Sequence, residues 1–588
     1  MKYRFERDKH QRRGVISNLH SFIARHLDTG FKSKWSGFWV PPYKYIDYYG
    51  FKVNGVWLGA DTCNAVEYGD EMVFHHESDS FRIKEKVEMI EQEAAFKISL
   101  EMENISDAPK AVRVAMETAV DIREKSQDIG PAAYHVEKED SIKVSSDERY
   151  LEISGEELEF KGDAYIKEHE PGERQRCLVP GEIVRKTEMQ GEETIILEYR
   201  FQTDQEGGGT LEHRQQETRC NLFDRAFEAS VRSMENLTYK RNGYGIIAGH
   251  PWFQSYWARD SFWTLLGFID AGHFELAEKM LENYAERGIP GKIALDGNEE
   301  NFPRSDSEPL YIIAADKLRK HYETTDTIEK GMKKAMEALD MKENIAQHDA
   351  MGTWMDTLER EPAIDIQSLW LESARIMNDS RARKLKKGLK RYEKEKYPKD
   401  FLGKDSPRAV NAAVPLMFGH FGEDKASRYL ERLNAEFSSK FGARTRSVSD
   451  PGYQSDGYHN GSAWGLTTGW AAGANAQYGK EQRAINFLQR LEPLMDRNQP
   501  GGIPEVVDAE KGHLLGCPEQ AWSAGMLVHI FDSYMLGMRP EDGKLKVDPF
   551  NSIECIRRDK RIGDKEVDLR FENGEVEVID GEVEIERC

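Results

Sequence analysis

The chain has 588 residues, too many for one ordinary domain, so a large domain with one or two smaller ones is expected. Hydrophobic residues make up 39% and charged residues 32%, and no apolar run is long enough to cross a bilayer, which excludes a disordered chain and a membrane partner. The formal net charge of −22 argues against nucleic acid, whose phosphates are bound by clustered Lys and Arg, and suits a neutral substrate.

The opening MKYRFERDKHQRRG is basic but leads into no apolar h-region or small-residue cleavage site, so a cytoplasmic location is expected. From about residue 80 to 204 apolar residues alternate: Phe96, Ile98 and Leu100, then Val112, Val114 and Met116, later Ile196, Leu197, Tyr199 and Phe201. Such strands, broken by ISDAP, SGEE and EPGE turns, predict an antiparallel β-sandwich, and QEGGGTLEHRQQE reads as the linker after it.

Beyond about residue 220 the period becomes helical for some 300 residues, with about twelve helices starting near 221, 258, 273, 306, 325, 364, 379, 409, 423, 459, 480 and 517. Alternating short and long loops predict helical hairpins closed into an α/α barrel, with an open helical array as the competing architecture. In the tail, Val567, Leu569 and Phe571, then Val576 and Val578, then Val583 and Ile585 alternate around Asn573-Gly574 and Asp580-Gly581, which predicts a β meander. The expected domains are thus 1–215, 216–540 and 541–588.

The long loops between helices are rich in Trp, Tyr, Gly and carboxylates. A neutral sugar is held by rings against its C–H faces and by charged or amide groups on its hydroxyls. HPWFQSYWARDSFW (250–263) offers both, with Arg259 and Asp260 to grip hydroxyls and Trp252, Tyr256 and Trp257 as walls; the competing reading is a helix cap at Asp260 and Ser261 over packed rings. GTWMDTLERE supplies Trp354 and Asp356, PGYQSDGYHNGSAW supplies Tyr453, Tyr458, His459 and Trp464, and GGIPEVVD supplies Glu505. Asn460 and Ser462 are read as a helix start. Cleavage of a glycosidic bond needs one carboxylic acid to protonate the leaving oxygen and a second carboxylate on the opposite face, and Asp356 and Glu505 are the candidates. The six cysteines form no CxxC pair, and neither GxGxxG nor Walker loops occur, so no metal, nucleotide or other cofactor is expected.

WARDSFW resembles the WxRDS motif of glucoamylase-type enzymes. The ordered series PWFQSYWARDSFWTLLG, SDSEPLYI, GTWMD, AIDIQSLW, YHNGSAW, GIPEV and QAWS, spread over about residues 220–540, resembles the amylo-α-1,6-glucosidase part of glycogen debranching enzymes. The resemblance implies an (α/α)6 barrel after the β-sandwich and hydrolysis of a terminal α-linked glucose from an α-glucan with inversion. It places the general acid on Asp356 and the general base on Glu505, with Glu519 in CPEQAWS as a second acidic candidate. Arg259 and Asp260 would grip the terminal glucose. Asp306 and Asp365 match acidic positions of the family, although debranching enzymes usually carry Glu at the second and a helix cap is the alternative for Asp365. Trp257, Trp354, Tyr458, His459 and Trp464 would line the pocket. The glycine-rich opening motif of the family is replaced by SGFWVPPYKYIDYYGF, and there is no room for a separate glucanotransferase barrel. Rival expectations are a glucoamylase acting on α-1,4 ends, a trehalase-like hydrolase, a disaccharide phosphorylase and a non-catalytic glycan-binding protein.

Overall fold

The computed structural model describes residues 2–587 except 7–11, 132, 170–174, 212, 215–217, 299–301, 496 and 542. Cys588, the EPGE turn and parts of the expected linker lie outside the described residues. The chain divides into two units, Met1–Glu212 with Tyr239–Arg241, and His213–Thr238 with Asn242–Cys588.

Strand alternation builds the first unit. Along Ala95–Asn104 the side chains of Phe96, Ile98, Leu100 and Met102 are buried, and the strand pairs antiparallel with Thr194–Thr203 in the register Phe96↔Phe201, Ile98↔Tyr199, Leu100↔Leu197. These strands belong to a nine-stranded sheet that faces a ten-stranded sheet centred on Tyr43–Val53 and Lys110–Glu124. Phe38 of the second sheet meets Phe96 of the first at 4.7 Å between ring centroids, and Phe51 meets Tyr199 at 5.2 Å, so the two inner faces share one core. The sandwich starts earlier than the alternation announces. Phe22–His26 and Gly37–Val40 are strands buried on nearly every residue, and a strand covered on both faces shows no period of two.

The second unit is helical: α1 (Asp224–Asn236), α2 (Ala258–Asp270), α3 (Phe274–Glu286), α4 (Ser307–His321), α5 (Asp326–Glu337), α6 (Ile364–Ile376), α7 (Ala382–Leu389), α8 (Ala413–Met417), α9 (Glu423–Glu436), α10 (Gly465–Gln477), α11 (Glu481–Leu488), α12 (Glu492–Met495) and α13 (Ala521–His529). Among the described residues, α2, α4, α6, α8, α10 and α13 form a closed ring in which each packs on the next and α13 returns to α2. The ring helices are deeply buried: every residue of α2 and of α13 is buried, Arg259, Asp260 and Asp270 of α2 among them. The helices between them are amphipathic and lie outside, α1 on α13, α3 on α2 and α4, α5 on α4, α7 on α6, and α9 and α11 on α10. In α5, for example, Ile328, Met332, Ala335 and Met336 make one buried stripe. No described helix is long and apolar enough to cross a membrane.

Two expectations need correction. No helix starts at Asn460 or Ser462: Tyr458–Asn460 is a 3-10 turn, Ala463–Trp464 pairs as a short strand, and α10 begins at Gly465. Gly461 sits between them at φ +149, where an added Cβ would lie 2.3 Å from the Gln454 carbonyl oxygen, so only glycine closes this loop. The tail is not a simple meander either. Cys555–Ile562, Lys565–Glu572 and Glu575–Asp580 do pair in turn, with Thr218–Cys220 at the edge, but Glu584–Arg587 leaves them to pair parallel with Lys544–Val547. These strands are part of the second unit.

Candidate active site

The segments that enter four of the six ring helices, α2, α6, α10 and α13, deliver side chains to one cavity at an end of the ring. A helix N-terminus presents free N–H groups and the positive end of the helix dipole, which is where carboxylates are best tolerated. From the start of α2 come Trp257, Arg259 and Asp260; from the turn before α6, Trp354 and Asp356; from the loop before α10, Tyr458, His459 and Trp464; from the loop and strand before α13, Glu505. They surround a narrow cavity of about 70 Å³.

Arg259 is its electrostatic centre. Its Nη1 donates to the Thr353 carbonyl at 2.8 Å and to Asp356 Oδ2 at 3.3 Å, its Nε lies 3.3 Å from Asp306 Oδ2, and its Nη2 donates to the Pro303 carbonyl at 3.4 Å. Burial raises the pKa of Asp356, and the Arg259 guanidinium opposes the shift. Asp260 is buried and accepts from Gln520 Nε2 at 2.7 Å; burial pushes its pKa well up, Arg259 pulls it down, and the nearby Glu505 charge adds to the rise. Three carboxyls, Asp260, Asp306 and Asp356, thus gather around one guanidinium.

Glu505 is held differently. The Tyr458 hydroxyl donates to Oε1 at 2.5 Å and the Cys517 backbone N–H donates to Oε2 at 2.9 Å. Burial raises its pKa, while these two donors favour the carboxylate and pull it back. Glu519, the second candidate, does not line the cavity: it is buried and its oxygens accept from Ser233 Oγ at 2.8 Å, Gln499 Nε2 at 2.5 Å and His250 Nδ1 at 3.0 Å.

The aromatic wall is one interlocked cluster. His459 stacks on Trp464 at 5.0 Å, and Trp354 meets both edge-on at 5.2 and 5.4 Å. Burial lowers the His459 pKa to about 3, so the ring is neutral, and its Nδ1 faces Thr357 Oγ1 at 2.7 Å. Trp354 Nε1 donates to Asn411 Oδ1 at 2.8 Å, which fixes that ring. Trp257 stands edge-on to Phe302 at 4.6 Å.

Other sequence-derived candidates are displaced. Asp306 reaches the cavity only through Arg259. Asp365 is away from it, bonded by Arg360 at 2.8 and 3.2 Å in a buried cluster with Asp400; a fully buried guanidinium demands such partners, so Asp365 supports the fold. Tyr256 lies below the wall, donating to the Gly243 carbonyl at 3.3 Å, and Trp252 packs beside Phe253, which lines the cavity in its place. Sequence reasoning missed Gln520 and Trp522, although QAWS was in view. Both line the cavity, and among the described residues Gln520 Oε1 and Trp522 Nε1 are buried without a hydrogen-bond partner. Buried polar atoms are normally paired, so an acceptor and a donor left open at one cavity are groups that a hydroxylated ligand can satisfy. No group of three or more described His, Cys, Asp or Glu residues is placed to hold a metal ion.

The family model of amylo-alpha-1,6-glucosidase matches residues 226–405, and that of the mannosylglycerate hydrolase MGH1-like glycoside hydrolase domain matches residues 341–523. The helical unit carries glycoside hydrolase domains. Comparison with curated protein sequences gives no match. Among solved structures, this glycoside hydrolase is similar to a bacterial glucoamylase complexed with acarbose, at 13% identity and a TM-score of 0.57 over 89% of this chain and 94% of that one. It is also similar to a kojibiose-phosphorylase-type protein from the human microbiome, at 9% identity and a TM-score of 0.59 over 99% of this chain and 96% of that one. Identities this low carry the fold, a large β unit followed by a helical one. Of the cavity carboxylates, Asp260 lies within the first match, Asp356 within both and Glu505 within the second alone.

Proposed function

We propose that the protein is an inverting, exo-acting α-glucosidase that removes single glucose units from an α-glucan, of the amylo-α-1,6-glucosidase type, and that its helical unit is an (α/α)6 barrel. The observation that carries the reading is the pair Asp356 and Glu505 on one narrow cavity with opposite surroundings. Asp356, a third exposed and raised in pKa, is suited to carry the proton that the leaving oxygen needs. Glu505, buried and gripped by two donors, is suited to hold a water and take its proton as the water attacks the anomeric carbon. Arg259, Asp260 and Gln520 would take the terminal glucose hydroxyls, with Trp354, Trp464 and Trp522 against its faces.

The likeness over nearly the whole chain to a phosphorylase-type fold favours a second reading, phosphorolysis. Phosphate needs free cationic or N–H donors, and among the described residues the one cation on the cavity, Arg259, is already shared between Asp306 and Asp356. Hydrolysis is therefore the first reading.

The test is glucose release, with the anomer read by proton NMR, from a limit dextrin bearing single α-1,6 glucose stubs, with maltotriose and trehalose alongside, each with and without phosphate. Preferential release of β-glucose from the stubs is the expected result. Faster cleavage of maltotriose gives a glucoamylase, and glucose 1-phosphate formed only with added phosphate gives a phosphorylase. Asp356→Asn and Glu505→Gln should each cost about 10²–10⁴-fold in kcat, the contribution typical of a positioned acid or base. An active Glu505→Gln enzyme would move the base to Glu519.

A further inference from the structure

The ring of helices has a second end, and a larger cavity opens there, about 510 Å³, within the range of small-molecule sites. It is lined from the C-terminal halves of the ring helices: Lys317 and His321 of α4, Gln477 of α10, then Ser533 and Tyr534, and Arg539 beyond. Beyond α13 the chain winds into a π-helix, Ile530–Met535, and this wider turn carries Ser533 and Tyr534 to the cavity. Such turns cost hydrogen-bond geometry and are concentrated at functional sites.

The charges at this cavity largely cancel. Lys317 lies 2.8 Å from the buried Asp270, Lys320 lies 2.7 Å from Asp316, Glu372 lies 3.5 Å from Arg375, and Glu541 lies 2.8 Å from Lys546. Helix C-termini add their negative dipole ends, so an anion is poorly served. What remains is a mixture of donors and acceptors over an apolar floor of Leu266, Ile313, Phe418 and Met538. His321 Nδ1 is buried at this cavity without a hydrogen-bond partner among the described residues. Mixed hydrogen-bonding groups over an apolar floor match a ligand that has hydroxyls around its rim and C–H on its faces.

We infer that this second cavity binds a neutral saccharide of one or two rings, at a site separate from the Asp356–Glu505 cavity and independent of which reaction occurs there. The test is hydrogen–deuterium exchange on the Glu505→Gln protein with maltose, with glucose and with inorganic phosphate. Ala476→Trp fills the cavity from a half-buried position on α10, and Arg539→Ala removes an exposed rim donor. Maltose is expected to slow exchange of residues 530–536; Ala476→Trp should abolish that protection, and Arg539→Ala should weaken it about tenfold in concentration, while residues 352–358 and 502–507 respond as before. The inference is overturned if maltose leaves residues 530–536 unchanged, if their protection survives both substitutions, or if phosphate protects them and sugars do not.

Discussion

Asp306 and Glu505 are both buried carboxyls, yet their surroundings ask different things of them. Burial lifts the Asp306 pKa to about 6 against the pull of Arg259. Below about pH 4 the group is protonated in both the folded and unfolded chains; between about 4 and 6 only the folded chain keeps the proton, so stability falls as pH rises through that window. Asp306→Asn should remove this dependence, worth on the order of 2–3 kcal/mol, seen as a stability difference from wild type that changes between pH 3.5 and pH 7 in urea titrations, with loss of activity as Arg259 loses a partner. For Glu505 the Tyr458 hydroxyl favours the ionised form. Tyr458→Phe should therefore move the acid limb of the kcat/KM profile to higher pH while the fold persists. Trp257, Arg259, Asp260, Trp354, Asp356, Tyr458, His459, Trp464 and Glu505 were legible because charge and aromatics concentrate in helix-entry loops. Asp365 misled because an acid at a helix start looks the same whether it faces a ligand or a buried arginine; Arg360 lies close by in sequence, but no local pattern shows that the two pair, and Asp400, the third member of the cluster, is far along the chain.

At the scale of elements, α2 connects the two ends of the ring. Its first turn carries Arg259 and Asp260, and its last residue, Asp270, about 15 Å along, faces Lys317, His529 and Ser533. Burial alone would push the Asp270 pKa up, but Lys317, His529 and Lys560 hold it far below the usual range. Its stabilisation is present above the unfolded carboxyl pKa and lost as pH falls toward the folded one. Asp270→Asn should cost about 3–5 kcal/mol at pH 7, and the deficit should shrink on acidification below about pH 4. The loop before α10 gives a complementary prediction. Gly461→Ala at φ +149 should displace Tyr458 and reduce kcat/KM at least about tenfold, with helical circular dichroism unchanged, since such strain costs about 1–3 kcal/mol. Helix starts at 258, 364 and 423 were readable to the residue from their apolar period; the start near 459 was not, because a lone glycine does not disclose its φ in sequence.

For the whole molecule, the net charge of −22 bears on solubility more than on catalysis, because a neutral glucan has no charge to steer. With a neutral oligosaccharide, kcat/KM should change less than about twofold between about 0.05 and about 0.5 M ionic strength, measured by initial rates. The order of a β unit before a helical unit was legible from the switch in period. The first strands were not, since a strand covered on both faces gives no alternation, and neither was the parallel pairing of Glu584–Arg587, which depends on a partner that no local pattern names.

The closure of α13 onto α2 also sets when the protein can become active. Asp260 and Gln520 touch across 260 positions of sequence, and Glu505, Gln520 and Trp522 arrive on the last segments of the ring. While the chain is being synthesised, an emerging polypeptide holds Arg259, Asp260 and Asp356 long before it has Glu505 or the helix that seals the wall. Fragments ending before Glu505 therefore lack a complete pocket.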